Sequence, residues 1–582
     1  MSASFLRTEW LSDLAQRAFM RHLVRSNTTT DPPKDLSSTI SALLGELARY
    51  DVEISRLKDH LQGVELERAA LQEYHDDCRC LLAPVRRLPA ETLVEIFRLA
   101  VQEARTPDIH RTFISPRMAM ADLANAPLLA LSRVCTMWHD IAIGTPSLWE
   151  MIQVDSALWA TPATSTRMMD LLRVALERSK GFSLEICIFG REEEPYDPAL
   201  QLLAQHSERW RSLKISGTNF DLGPLVQMKG RLPQLESLSL WGKVLSLDGV
   251  FDSTPRLVGA QLACTPETWE IFAKLPLHQL QSLMCMEALG YAAMLGFGAL
   301  PALSLMPHLR PLADFKLQLA LLDPNFDFHT LVLPPITSAI GTLLLEFDEG
   351  FTPTSVGQTV AKILECLTLP HLTLLQMVSE EHPDLPIPWP QPEFLALAGR
   401  SSFHSHLLRL HLWHVVITEA ELLECLAALP SLERLTVSDH LAVYNDGVEV
   451  QVVTDRLFAA LTLAAPTNSN PDADADTTPP LAPRLTSFGC QTLLKFDDTV
   501  FSTFLLSRMA AVERDGSADS DDVNVVDAEV WWLPGHQREL DPSVCARLDE
   551  LDKVKVVFGP AEESEFVEQA DWANGEGAGV WG

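Results

Sequence analysis

Between residues 36 and 83 the apolar positions recur at alternating steps of three and four. Taking Ile40 as heptad position a places Ile40, Leu47, Ile54, Leu61 and Arg68 at a, and Leu43, Tyr50, Leu57, Val64 and Leu71 at d. Nine of these ten seam positions are apolar or aromatic, and Glu46, Glu53, Arg56, Lys58, Glu65 and Glu67 fill the outside. A 3.5-residue period held over five heptads predicts a long helix that pairs in a coiled coil or a helical hairpin. Self-association through 40–71 is one form of that pairing. The other outcome is a single helix whose stripe packs back on its own domain, because Gly45 and Gly63 weaken an isolated helix.

The period then lengthens to that of short amphipathic helices. Pro84 and Pro89 stop the long helix, and Pro89 belongs in the first turn of the next, where its missing N–H costs nothing. Leu93, Ile96, Phe97 and Ala100 follow at helical spacing. After a more polar stretch to about 125, Leu131, Val134, Cys135, Trp138, Ile141 and Ala142 repeat the rhythm, and Gly144-Thr145-Pro146 ends it.

From about residue 156 the signal becomes short leucine-rich strands at 213–215, 235–240, 257–262, 280–283, 343–345, 372–375, 407–412 and 432–437. Several follow a proline, as in Leu232-Pro233-Gln234-Leu235 and Leu429-Pro430-Ser431-Leu432. Four spacings between first residues are 22, 22, 23 and 25, within the range of leucine-rich repeats. Helical returns read at 356–367 and 419–428 suit a parallel sheet with crossovers. Strands at 485–488, 525–533 and 553–558 close the array.

The expected class is therefore α+β to α/β: a long coiled-coil-like helix, a small helical domain, then an irregular leucine-rich-repeat solenoid. The expected boundaries are 1–35 (N-terminal helix and linker), 36–83, 84–155, 156–464 (solenoid), 465–483 (disordered linker), 484–560 (solenoid end) and 561–582 (acidic tail).

Composition narrows the function. The 582 residues carry 45 Lys and Arg against 78 Asp and Glu, a net charge of −33. So acidic a surface repels phosphate backbones and anionic membranes, so neither nucleic acid nor membrane is an expected partner. Residues 511–582 alone hold 18 acidic and 5 basic residues. No run approaches the length of a membrane span, and the first 25 residues lack both a signal core and a clean presequence. The ten cysteines are dispersed, without CxxC spacing, and read as small buried hydrophobes in a reducing cytoplasmic or nuclear setting.

Candidate chemistry is thin. His404, His406, His411 and His414 are the densest histidine cluster, and strand alternation makes ordinary surface histidines a better reading than a metal site. No GxGxxG, P-loop, GxSxG or HExxH motif occurs, so no enzyme, cofactor or metal is expected.

Three blocks in order do carry information: Leu88-Pro89-x-Glu91-x-Leu93-x-x-Ile96-Phe97, then Leu131-Ser132-x-Val134-Cys135-x-x-Trp138-x-x-Ile141-Ala142, then Thr145-Pro146-x-Leu148-Trp149. This pattern resembles an F-box, and looks most like the F-box-like proteins of mushroom-forming fungi. In that family a heptad helix, the F-box and a leucine-rich remainder follow one another. The resemblance covers 88–100 and 128–152, and the spacer 101–127 is longer than in a compact F-box. It implies a substrate receptor of an SCF-type (cullin-RING) ubiquitin ligase, with a Skp-type adaptor, a cullin complex and an unknown target protein as partners. Leu88, Pro89, Leu93, Ile96 and Phe97 would meet the adaptor. Val134, Cys135, Trp138, Ile141, Leu148 and Trp149 would fill the F-box core. The alternative is a non-catalytic structural protein that oligomerises outside any ligase.

For the target, aligning Leu235 with Leu407 sends Ser237, Ser239 and Trp241 outward in one unit, and Arg409, His411 and Trp413 in the other. Two tryptophans at matching places suggest a binding face made of Trp241, Arg409, His411 and Trp413. Otherwise helices or loops of the array cover them.

Overall fold

A computed structural model describes residues 36–103, 127–155, 162–190, 197–217, 220–221, 223–241, 244–245, 249–264, 271, 274–287, 300–319, 332–347, 353–379, 387–441, 449–463, 481–515, 526–533, 535–549 and 554–560, together with Ala18, Arg21, His22, Val24, Arg25 and Ser26. Most of the expected N-terminal helix, most of the 101–127 spacer, most of the 465–483 linker, the acidic loop after Asp515 and the tail lie outside these residues. The chain divides into two units, Met1–Leu93 and Val94–Gly582.

In the first unit, α1 is one unbroken helix, Leu36–Leu82. No hairpin forms. The boundary between units falls inside α2, Ala90–Glu103, so the small helical domain expected at 84–155 is not separate.

The second unit continues with α3 (Pro127–Leu131) and α4 (Thr136–Gly144). It then runs straight into a sheet of fourteen parallel strands in sequence order. These are β1 Met151–Asp155, β2 Leu184–Gly190, β3 Trp210–Gly217, β4 Ser237–Trp241, β5 Gly259–Cys264, β6 Ser282–Glu287 and β7 Asp314–Leu319. There follow β8 Thr342–Phe347, β9 Leu374–Val378, β10 Arg409–Leu412, β11 Arg434–Ser438, β12 Ser487–Thr492, β13 Val526–Trp532 and β14 Val554–Pro560. The domain boundary expected after residue 155 thus moves: 151–155 is the sheet's first strand.

The irregular leucine-rich solenoid expected from the spacing is corrected by this single α/β sheet, which has no common repeating unit. Residues in one cross-strand row are as little as 22 apart (Leu238 to Ala260) and as much as 53 apart (Leu435 to Phe488). The first two returns are helices, α5 Pro162–Arg178 and α6 Asp197–Ala204, and the middle ones use 3₁₀ turns such as Gly223–Met228 and Leu300–His308. Late ones use helices: α7 Pro353–Cys366, α8 Gln391–Ser401, α9 Glu419–Ala427, α10 Asp455–Leu461 and α11 Asp498–Asp515.

Register explains which leucines are internal. One row runs Ile152, Ile186, Leu213, Leu238, Ala260, Leu283, Phe315, Leu343, Leu375, Leu410, Leu435, Phe488, Ala528 and Val556. Nearly all are fully buried, in one continuous core with the returns packed on that side of the sheet. The X-Pro-x-Leu signals are turns that precede the strands. Leu257, Leu372, Leu432 and Leu485 each donate a backbone N–H to the carbonyl three residues back, at 3.0–3.2 Å. Proline at the second place of such a turn has its φ preset. The turn drops its leucine into the core, and the strand begins two residues later.

Candidate functional site

The helical block after residue 93 is built on an aromatic pair. Phe97 of α2 meets Trp138 of α4 edge-on, ring centroids 4.9 Å apart. Trp149 donates its indole N–H to the Ala142 carbonyl at 2.7 Å, closing the C-terminal end of α4. The Arg178 guanidinium lies 4.6 Å over the Trp149 ring, tying the block to helix α5, Pro162–Arg178. These contacts join the helical block to the first return of the sheet.

Site residues expected from the sequence divide by burial. Leu93 and Phe97 are fully buried and Val101 nearly so, so the i, i+4, i+8 stripe faces inward. Leu93 and Phe97 are therefore corrected from adaptor contacts to core. Ile96 and Leu99 sit on another face of the same helix, 40 and 56 % exposed. Leu88 is half-buried and Pro89 exposed. Among the proposed core residues Leu148 and Trp149 are buried, while Cys135, Trp138 and Ile141 are partly so. Val134 is 60 % exposed, as is Met137 at 40 %. Val134 is corrected from core to surface, because the chain leaves helical geometry between α3 and α4 and turns this side chain outward. Leu99 and Met137 are exposed apolar positions that the sequence pattern does not single out.

The proposed target face is also corrected. Trp241 and Trp413 do occupy the row opposite the leucines, but they are only 7 and 6 % exposed, and His411 is buried. Trp241 packs with Ala263, Met284 and Met286, and Trp413 with Leu344 and Val378. Neighbouring strands stand close enough for large side chains to bury one another laterally. Arg409 alone of the four stays partly exposed. Polar members of the same face pair among themselves: Ser239 Oγ donates to Gln261 at 3.0 Å, and Lys316 forms a largely buried ion pair with Glu346.

At the C-terminal ends of β10 to β12 lies a buried polar cluster. Asp439 accepts hydrogen bonds from the backbone N–H groups of Val452, Val453 and Leu493 and from the Thr492 hydroxyl, at 2.6–3.0 Å. Burial pushes its carboxyl up, and these four donors pull it back. Burial pushes His440 down to about 4, so the ring is neutral near pH 7. His414, with a positive φ of 56°, bonds through Nδ1 to the Ser379 carbonyl at 2.7 Å. Asp439 staples two loops to the sheet, with every acceptor position used structurally.

Buried thiols are held protonated. Burial raises Cys366 to about 11 and Cys425 to about 12, far from a thiolate at neutral pH. Among the described residues no group of three or more His, Cys, Asp or Glu could hold a metal ion, and no helix is long and apolar enough to cross a membrane. His404 is exposed and His406 half-buried, while His411 is buried and His414 is held in the polar cluster after β10, so these two depart from the surface histidines expected.

No family model matches this chain, and no curated protein matches it in sequence. Among solved structures, a crystal structure of a protein from Bacteroides fragilis aligns with 68 % of this chain and 82 % of its own, at 13 % identity and a TM-score of 0.23. That likeness assigns neither family nor function.

Proposed function

We propose that the chain is a non-catalytic interaction protein of the F-box type, a substrate receptor for an SCF-type ubiquitin ligase. Its helical block would dock a Skp-type adaptor, and its parallel-sheet domain would carry a target protein to the ligase. The receptor would contribute proximity and orientation, with the chemistry left to other subunits. Work in the cytoplasm or nucleus fits its free thiols.

The observation that carries this reading is the second apolar face of α2. A helix flanking a core shows one apolar stripe and a polar remainder. Here Leu93, Phe97 and Val101 already supply the inward stripe, yet Ile96 and Leu99 face solvent, within the sequence block that resembles an F-box. Exposed apolar side chains beyond what packing needs suit a partner surface.

The test is co-purification of the full chain with a Skp-type adaptor. Wild type should retain the adaptor, and Ile96→Asp with Leu99→Asp should lose it while the sheet unfolds at an unchanged denaturant midpoint. Failure of wild type to hold the adaptor, under conditions where a known F-box protein does, would sink the proposal. A second reading, a self-associating structural protein outside any ligase, is favoured by the exposed seam of α1 and predicts that same failure.

A further inference from the structure

The aliphatic positions of the heptad seam of α1 are left exposed. Ile40, Leu43, Leu47, Ile54, Leu57, Leu61, Val64 and Leu71 are all between 40 and 69 % exposed. Eight large apolar side chains along one seam of a single helix are unfavourable in water, and a second seam of the same period buries them. Gly45 and Gly63 fall at positions f and c, away from the seam, where an added Cβ would meet nothing. They weaken the helix without disturbing a pairing surface.

We propose that α1 binds a second copy of this chain as an antiparallel two-stranded coiled coil centred between Ile54 and Leu57. In an antiparallel pair each a residue faces a d residue of its partner. Setting Ile54 against Leu57 of the other copy also sets Ile40 against Leu71, Leu47 against Val64, Leu61 against Tyr50, and Arg68 against Leu43. All ten seam residues from 40 to 71 are matched, with no overhang.

Charge selects this arrangement over the parallel one. In parallel register the two Arg68 side chains share one a layer, which sets two guanidinium groups together in a desolvated seam. Antiparallel pairing puts each Arg68 against a leucine near the end of the seam, where its long stem can reach water. At the flanks, Asp51 meets Lys58 of the other copy twice, against Glu53 with Lys58 twice in the parallel form. Each form also brings one pair of acidic residues together twice: Glu46 with Glu67 antiparallel, Glu46 with Asp51 parallel. Glu46 is already paired within its own helix to Arg49 at 2.8 Å. The flanks are balanced, and the Arg68 layer decides. Shifting the antiparallel register one heptad either way sets Glu53 against Glu53 or Glu67, and Asp51 against Asp51 or Glu65, so the centred register is the favoured one.

The experiment uses the full chain, first by light scattering. Wild type should give twice 64.6 kDa, and Ile54→Asp should give 64.6 kDa, its dissociation constant raised about a hundredfold or more. Leu57→Lys should do the same, with helix content followed by circular dichroism to separate dissociation from unfolding. Orientation is then read from cysteines. Cys78 is an exposed free thiol at a d position of the same helix. A parallel dimer would place the two Cys78 residues within disulfide reach. The antiparallel register holds them about 68 Å apart along the axis, at about 1.5 Å per residue. Mild oxidation should therefore give no Cys78 cross-link. Chains with Ile40→Cys mixed with chains with Leu71→Cys, both carrying Cys78→Ser and Cys80→Ser, should cross-link to each other. A monomeric wild type, a dimer that survives both seam variants, or a Cys78 cross-link would each overturn the proposal. None of these outcomes depends on adaptor binding.

Discussion

The long helix α1 and the parallel sheet are both rich in leucine, yet they dispose of it in opposite ways. In α1 the seam leucines stand in solvent along the whole helix, and the ion pairs are local ones such as Arg56 with Glu53. In the sheet, the inward leucines are fully buried between strand neighbours and the returns, and the large apolar residues of the opposite face bury one another. The difference lies in what completes the surface. A strand finds its partner a few tens of residues away in its own chain, whereas the aliphatic side chains of the heptad seam stay exposed.

Perturbations of the sheet should be the costliest. Trp413→Ala should destabilise the second unit by about 3–5 kcal/mol, because the indole is a packed member of the face opposite the main core. Leu435→Ala should cost about 2–5 kcal/mol, and Leu61→Ala in α1 should leave the same denaturant midpoint almost unmoved. Full stability in Trp413→Ala, together with loss of a bound target, would restore the tryptophan face as a recognition surface.

A smaller effect comes through protons. His440 is held at about 4 when folded, against 6.5 ordinarily, chiefly by burial. The unfolded chain therefore binds this proton first. Stability is complete above about pH 6.5 and falls as pH drops toward 4, by up to about 3 kcal/mol. Asp439, pushed up by burial, acts in the opposite sense, so the readout is the difference between wild type and His440→Asn rather than the raw slope. That difference should grow between pH 6.5 and 4 and vanish above; a flat difference would show that His440 stays solvated.

The smallest expected effect belongs to α1 itself. Gly63→Ala should raise its helix stability by about 0.5–1 kcal/mol, since nothing stands where the methyl would go. Thermal scans of helicity would show it, and a loss of helicity would mean that a neighbour packs against this position.

How much of this was legible differed by region for physical reasons. The 3.5 period located α1 to within a residue, since a helix pattern needs only local order. Eleven strands were also found, most of them entered about two residues early. The X-Pro-x-Leu signal marks a turn leucine, and a turn leucine is as buried as a strand leucine. Strands β1, β2 and β7 were missed. Met151–Asp155 was absorbed into the helical block, the apolar run Leu184–Gly190 has no proline lead, and Asp314–Leu319 starts five residues, not two, after the turn Met306-Pro307-His308-Leu309. The solenoid was overdrawn because a few spacings near 22–25 were extended across returns that share no unit. Trp241 and Trp413 were correctly paired as equivalent positions, but their burial depends on Met284, Met286, Leu344 and Val378 of other strands, which no single strand's pattern reveals. In α2 the spacing showed which residues share a face. Which face was inward required Trp138, about forty residues on.

The most direct test of the account is a calorimetric titration of purified full-length chain with a purified Skp-type adaptor. The account predicts saturable one-to-one binding per chain for wild type. It predicts at least a tenfold, about 1.4 kcal/mol, weakening for Ile96→Asp with Leu99→Asp, and no change for Ile54→Asp in the helix seam. Absence of binding by a folded wild-type chain, or equal affinity in the Ile96 and Leu99 variant, would contradict it.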